Sequence, residues 1–265
     1  MLNYPCMTET NKEYIIKLKE QIPVCPILGV NIAAIDMEWL LKFTHEHIKE
    51  LDGEYICVSN VHTTVTAYND ESYRSVQNNA LLAIPDGGPL STLGRKRGFE
   101  HMSRVTGPSY LEEILKVSKQ YGYKHYFYGS SKEVTDVMIK NINDRYPGID
   151  IAGVFNPPYR PLSREEDEEV IKKIREADPD FIWVGLGAPK QEIWMADHKG
   201  KLPGVMVGVG AAFDYLAGNI KRAPLWMQKA NLEWLYRLYQ DPKRLFKRYV
   251  VTNSSFIWNA VIKGK

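Results

Sequence analysis

Apolar positions in this chain fall into two kinds of block. Six short, nearly continuous apolar runs lie at 55–59, 81–84, 124–128, 150–154, 181–185 and 205–209. Each is too short for a globular helix and reads as a buried strand. Between them, segments at 61–77, 109–121, 132–146, 163–177 and 189–198 carry apolar residues three and four apart, the spacing of amphipathic helices. Strands that are apolar throughout and separated by helices predict an α/β fold, a mostly parallel sheet with helices on both faces. Right-handed crossovers would gather the strand C-terminal ends on one edge, where open α/β sheets bind ligands. Ahead of this rhythm, 1–22 is a polar, partly helical lead-in, PILGVNIAAID (26–36) reads as a strand or hairpin, and 37–51 has helical spacing. After 219 the pattern changes to two further helices, 225–239 and 242–261, broken at Asp241-Pro242. The chain thus divides into a lead-in (1–22), an α/β domain (23–219) and a C-terminal helical appendage (220–265).

The 265 residues are 44% hydrophobic and 25% charged, an ordinary globular balance. Cys6, Cys25 and Cys57 form neither a CxxC pair nor an even framework, which points to a reducing compartment and away from structural zinc. No run of 18 apolar residues exists, and MLNYPCMTETNKEY lacks the apolar core of a signal peptide, so a cytosolic chain without a transmembrane helix is expected. The net charge of +2 hides an asymmetry. Residues 220–265 hold ten Lys/Arg against two Asp/Glu, and the remainder 24 basic against 30 acidic residues. In the appendage Arg237, Lys243, Arg244, Lys247 and Arg248 interleave with Trp226, Trp234, Tyr239, Phe246, Tyr249 and Trp258. Such a segment can bind nucleic acid, meet an anionic membrane, clamp a diphosphate, or pack on the domain before it. Nothing in it resembles an RNA-binding module, and its Trp and Tyr suit a membrane interface.

The candidate chemistry sits where the strands end. Phe181 to Trp194, FIWVGLGAPKQEIW, reads as a strand, a tight turn with Gly185 and Gly187, and a helix start, with Pro189 in the first helical turn. A ligand phosphate can approach such a turn and helix N-terminus, which makes Lys190, Gln191 and Glu192 donor-site candidates. Asp86, with Gly87 and Gly88 behind it, is either a general base or a turn residue satisfying its own backbone. Asn60 either contacts a sugar or base edge or simply caps the next helix, and His62 is a base or ligand contact. Arg104 is either a phosphate fork or half of a surface ion pair. Asp178-Pro179-Asp180 matches a metal-binding DxD, but it precedes a strand and so lies at the opposite edge, as a turn. His45 and His47, two apart on a helix, cannot share a face. No HExxH, Cys/His cluster or dinucleotide fingerprint is present, so no metal site and no nicotinamide enzyme is expected.

PDGGP (85–89), GLGAPKQEIW (185–194), GVGAAFDYLAG (208–218) and KRAPLWMQKANLEWLYRL (221–238) resemble, in order, motifs of the WecG/TagA/CpsF glycosyltransferases, over roughly 26–249. The resemblance implies a Rossmann-like domain whose helical appendage closes the active site and touches the membrane. It implies an inverting transferase that needs neither metal nor cofactor. Such an enzyme moves a sugar from a UDP-sugar to a sugar on a polyprenyl diphosphate, at the cytoplasmic face of a bacterial membrane. It casts Asp86 as the base, Asn60 and Arg104 as site residues, and Arg237, Arg244 and Lys247, with Arg248 beside it, as the diphosphate clamp. This chain departs from the N-acetylmannosamine transferases at Val58-Ser59-Asn60-Val61, after Gly88, and in the basic loop Gly94-Arg95-Lys96-Arg97-Gly98, which could accept an acidic sugar such as a uronic acid or merely a diphosphate. The donor sugar therefore stays open among N-acetylmannosamine, a uronic acid and a hexose, and a homo-oligomer stays open as well. The competing class is a non-catalytic nucleotide-sugar- or RNA-binding protein.

Overall fold

The computed structural model describes residues 9–264, and in it all six apolar runs are strands. The lead-in contributes helix α1 (Glu9–Glu20); its first eight residues lie outside the described ones. The 26–36 segment is a hairpin of β1 (Val24–Ile27) and β2 (Val30–Ala33), turned by Leu28 and Gly29 at positive φ. Asp36 then caps α2 (Met37–His47). The main run follows as β3 (Tyr55–Ser59), α3 (Val61–Asn69), α4 (Glu71–Asn79), β4 (Leu82–Pro85), α5 (Gly88–Lys96) and α6 (Gly107–Tyr121). It continues as β5 (Lys124–Gly129), α7 (Lys132–Arg145), β6 (Asp150–Phe155), α8 (Arg164–Ala177), β7 (Phe181–Gly185), α9 (Lys190–Asp197), β8 (Val205–Gly208) and α10 (Ala212–Ala217). The appendage is α11 (Leu225–Lys229), α12 (Glu233–Gln240), α13 (Pro242–Phe256) and a π-helical turn (Ile257–Ile262).

The six strands form one parallel sheet in the order β4-β3-β8-β7-β5-β6. Alternate residues of each strand feed two cores, one per face. Ile56, Phe127, Phe181, Trp183 and Val207 pack on one side. Tyr55, Cys57, Tyr128, Ile182, Val184 and Met206 pack on the other. Burial on both faces is why the strands other than the edge strand β6, which is only partly buried, read as unbroken apolar runs. The register pairs Ser59 with Pro85, Gly129 with Gly185, and Val184 with Gly208, so every glycine or polar motif at a strand end meets the same edge.

Four local expectations are corrected. The helix expected over 61–77 is two helices, because Asp70 ends α3 and its carboxylate accepts from the Tyr73 amide at the head of α4. The helix expected over 225–239 breaks at Ala230–Leu232, where Asn231 has φ 59°. The basic stretch 94–98 is the end of α5 rather than a loop. There Arg95 donates to the Met102 carbonyl, and Arg97 to the carbonyls of Pro26 and Ala260, so both guanidinium groups are spent on backbone. Pro189 precedes α9 as its cap residue rather than entering the first turn. Asp180 acts as the turn residue expected of it, accepting from the Lys124 amide and from Lys49. Among the described residues no helix is long and apolar enough to cross a membrane.

Candidate active site

Pairing of β3 with β4 sets Asn60 and Asp86 side by side as the chain leaves the sheet, and the Asp86 amide donates to the Ser59 carbonyl at 2.8 Å. Asn60 caps α3 through its Oδ1, which accepts from the amides of His62 and Thr63 at 3.0 and 3.2 Å. The bland reading is thus correct for the oxygen, and the Nδ2 amide is the part not used by the cap. Asp86 keeps some solvent contact, yet it sits deep enough that burial pushes its carboxyl up to about 7. Arg104, Arg237 and Arg222 pull that value down and Glu233 pushes it up, so five charged groups share one half-buried spot.

Arg104 is held next to Asp86 by its neighbour Val105, whose amide donates to the Pro85 carbonyl at 2.9 Å. Its guanidinium pairs with Glu233, the first residue of α12, and both side chains are largely enclosed, at 20% and 10% exposure. It is therefore an ion pair, but one that joins the sheet domain to the appendage. Arg222 makes a second tie, to Glu112 at 3.3 Å and to the Ser109 hydroxyl at 2.9 Å. Arg237 lies over the Tyr215 ring. Gly87 caps α5 with room for a small side chain, whereas Gly88 has none. A Cβ there would stand 2.2 Å from Asn231 Oδ1 and 2.6 Å from Asn231 Cβ. Gly88 is thus a docking point for the appendage.

The remaining candidates separate into two groups. His62 is half-buried near Arg248, and burial, then Arg248, lowers its pKa. The His62 Nδ1 and Arg248 Nε are both buried and have no hydrogen-bond partner among the described residues. Lys247 and Lys190 are exposed, and the side chain of Arg244 lies outside the described residues. Gln191 and Glu192, by contrast, point into the protein. Gln191 Oε1 accepts from the Gly187 and Gly210 amides, and its Nε2 donates to Gly208 O and Glu192 Oε1. Glu192 is fully buried, which raises its pKa. Neither offers a surface to a donor. Gln191 instead fixes the shape of two glycine loops, one of which is the Gly185–Gly187 turn.

The WecG/TagA/CpsF glycosyl transferase model matches residues 25–265. The chain belongs to this family. It is 31% identical to the N-acetylglucosaminyldiphosphoundecaprenol N-acetyl-β-D-mannosaminyltransferase of Bacillus subtilis strain 168 over 226 residues, 85% of each chain. The Bacillus spizizenii protein of the same name is also 31% identical, over 79% of this chain and 81% of its own. The Staphylococcus aureus MW2 protein of that name is 32% identical over 72% and 74%. Membership settles the choice between a catalyst and a non-catalytic binder: the chain is a glycosyltransferase. Around Asp86 the structure also gathers residues that sequence reasoning passed over, namely Glu233, Arg222 and Tyr215, with Asn231 against Gly88. Glu233 carried a signal, being one of two acids in a strongly basic segment and lying inside a quoted motif.

Proposed function

We propose that this chain transfers N-acetylmannosamine from its UDP conjugate to a sugar carried on a polyprenyl diphosphate, with inversion, at the cytoplasmic face of a bacterial membrane. Three relatives named for that sugar and acceptor support the donor over a uronic acid or a hexose. The observation that carries the chemistry is the Asp86 carboxyl, held at about 7 in an arginine-rimmed spot at the sheet edge. A base with this pKa is half ionised at neutral pH, the best compromise between availability and strength. Asp86 takes the proton of the acceptor hydroxyl. The hydroxyl oxygen forms a bond to the sugar C1 from the face opposite the diphosphate. The bond from C1 to the phosphate oxygen breaks, and UDP leaves with its electron pair. Arg237, Arg248 and His62 surround the developing phosphate charge, with Asn60 Nδ2 available to the donor.

The appendage (220–265) completes the domain formed by 23–219 and carries the membrane contact. It exposes Trp226, Tyr239, Phe246 and Trp258 together with Lys243 and Lys247. Each cation near an anionic surface contributes about 1 kcal/mol, enough in sum for reversible attachment. The test is transfer of labelled sugar from UDP-N-acetylmannosamine to a polyprenyl-diphosphate N-acetylglucosamine in wild type and Asp86→Asn. The variant is expected to bind donor and lose turnover; full turnover by Asp86→Asn removes Asp86 from the role.

A further inference from the structure

The appendage brings one carboxylate, Glu233, into a cluster where cations would be enough to receive a substrate diphosphate. Its position is specific. It opens α12 and faces Arg104, which emerges one residue before the amide that hydrogen-bonds Pro85, next to Asp86. The other two cations around Asp86 have their own partners: Arg222 has Glu112 and Ser109, and Arg237 has the Tyr215 ring. Arg222 stands between Glu112 and Asp86 with its tie to Glu112, whereas Arg104 stands between Asp86 and Glu233, the carboxylate that the appendage carries. A buried guanidinium stripped of its partner is costly to leave uncompensated, and the other acid on which Arg104 acts is Asp86.

We propose that Glu233 is a positioning residue that holds the Arg104 guanidinium off Asp86 when the appendage is docked. Docking and readiness of the base then become a single event. This rests on the reading of Asp86 as the base. With the appendage lifted, Arg104 exchanges Glu233 for Asp86, and a carboxylate paired with arginine is a poor proton acceptor. An opposite charge in direct contact lowers a carboxyl pKa by about 1–3 pH units, against which the charges of Arg222, Arg237 and Glu233 at longer range are weaker. A docked appendage therefore switches on the base it also helps to enclose.

The experiment is a ¹³C NMR titration of the aspartate carboxyls in the full chain, with Asp86→Asn identifying the Asp86 signal. In Glu233→Gln the Asp86 midpoint is expected to fall by about 1 pH unit or more, and the acid limb of the kcat profile to move with it. In an Arg104→Gln background the same Glu233→Gln change is expected to move the midpoint less than half as far, because the exchanging cation is gone. Equal shifts in the two backgrounds would mean that Glu233 acts only as a distant charge and would overturn the exchange. An unmoved midpoint in folded Glu233→Gln would overturn it as well. Should Glu233→Gln not fold, Glu233→Asp, with the same charge and a shorter reach, is expected to lower the midpoint partway, and no change sinks the proposal. If the wild type transfers no sugar, the reading of function falls, while the titration still decides the exchange.

Discussion

Gly88→Ala tests how the appendage is seated. The added Cβ would meet Asn231 at 2.2 Å from Oδ1, 2.4 Å from Cγ and 2.6 Å from Cβ. Rotation of a flexible side-chain end removes the first of these contacts but not the last, so the backbone at Asn231 has to move. Overpacking of this kind costs about 1–3 kcal/mol, a factor of roughly 5–150 in the docking equilibrium constant. The sheet cores do not involve Gly88, so the cost falls on docking rather than on folding. Hydrogen exchange is expected to accelerate in α11–α13 and to stay slow in β3, β7 and β8, while kcat drops by at most the same factor. Asn231→Gly should rescue both readouts. It removes every clashing atom and places glycine at φ 59°, a conformation that suits it. Unchanged exchange in α11–α13 of Gly88→Ala, or failure of Asn231→Gly to restore it, refutes the docking role.

Three further outcomes follow. The Asp86 carboxyl titrates near 7 in the folded chain against an ordinary 3.8, so the native state binds the extra proton between about pH 4 and 7 and stability falls as pH rises through that window. Melts of Asp86→Asn should lack this decline, and parallel curves for the two proteins would contradict it. Gln191→Ala leaves two amides, a carbonyl and the buried Glu192 without their partner. A loss of about 1–3 kcal/mol is expected, with a Tm several degrees lower and weaker donor binding by calorimetry. Replacing Phe246 and Trp258 with Asp should cut sedimentation with anionic vesicles while leaving the melting curve in place, since both side chains are exposed.

The sheet was readable because every strand but the half-exposed β6 is buried on both faces and so leaves a continuous apolar run. The gathering of strand ends was legible as well, since parallel topology carries Asn60 and Asp86 to one edge. Helix ends were less visible. Asp70 does not stand out from a helical pattern because its effect is a single side-chain cap, and α5 hides within a glycine-rich string. Gln191 and Glu192 share a motif with Lys190, and only the rotation of α9 against β8 decides which of them points inward. Glu233 draws its meaning from Arg104, 129 residues away, and no local pattern records a pairing at that distance.

Arg97 donates to the carbonyls of Pro26 and Ala260, tying the first hairpin to the last helical turn. The tie gives assembly an order in time. On a ribosome the sheet can close once β8 has emerged, with both cores filled and Asp86 already at its edge. The second half of the Arg97 grip does not exist until some fifty residues later, after Arg222, Glu233 and Arg237 have been made. At about 5–20 residues per second that interval lasts a few seconds. During it the nascent chain holds a folded but unroofed sheet, and its charged pocket is completed only by a segment synthesised after the sheet.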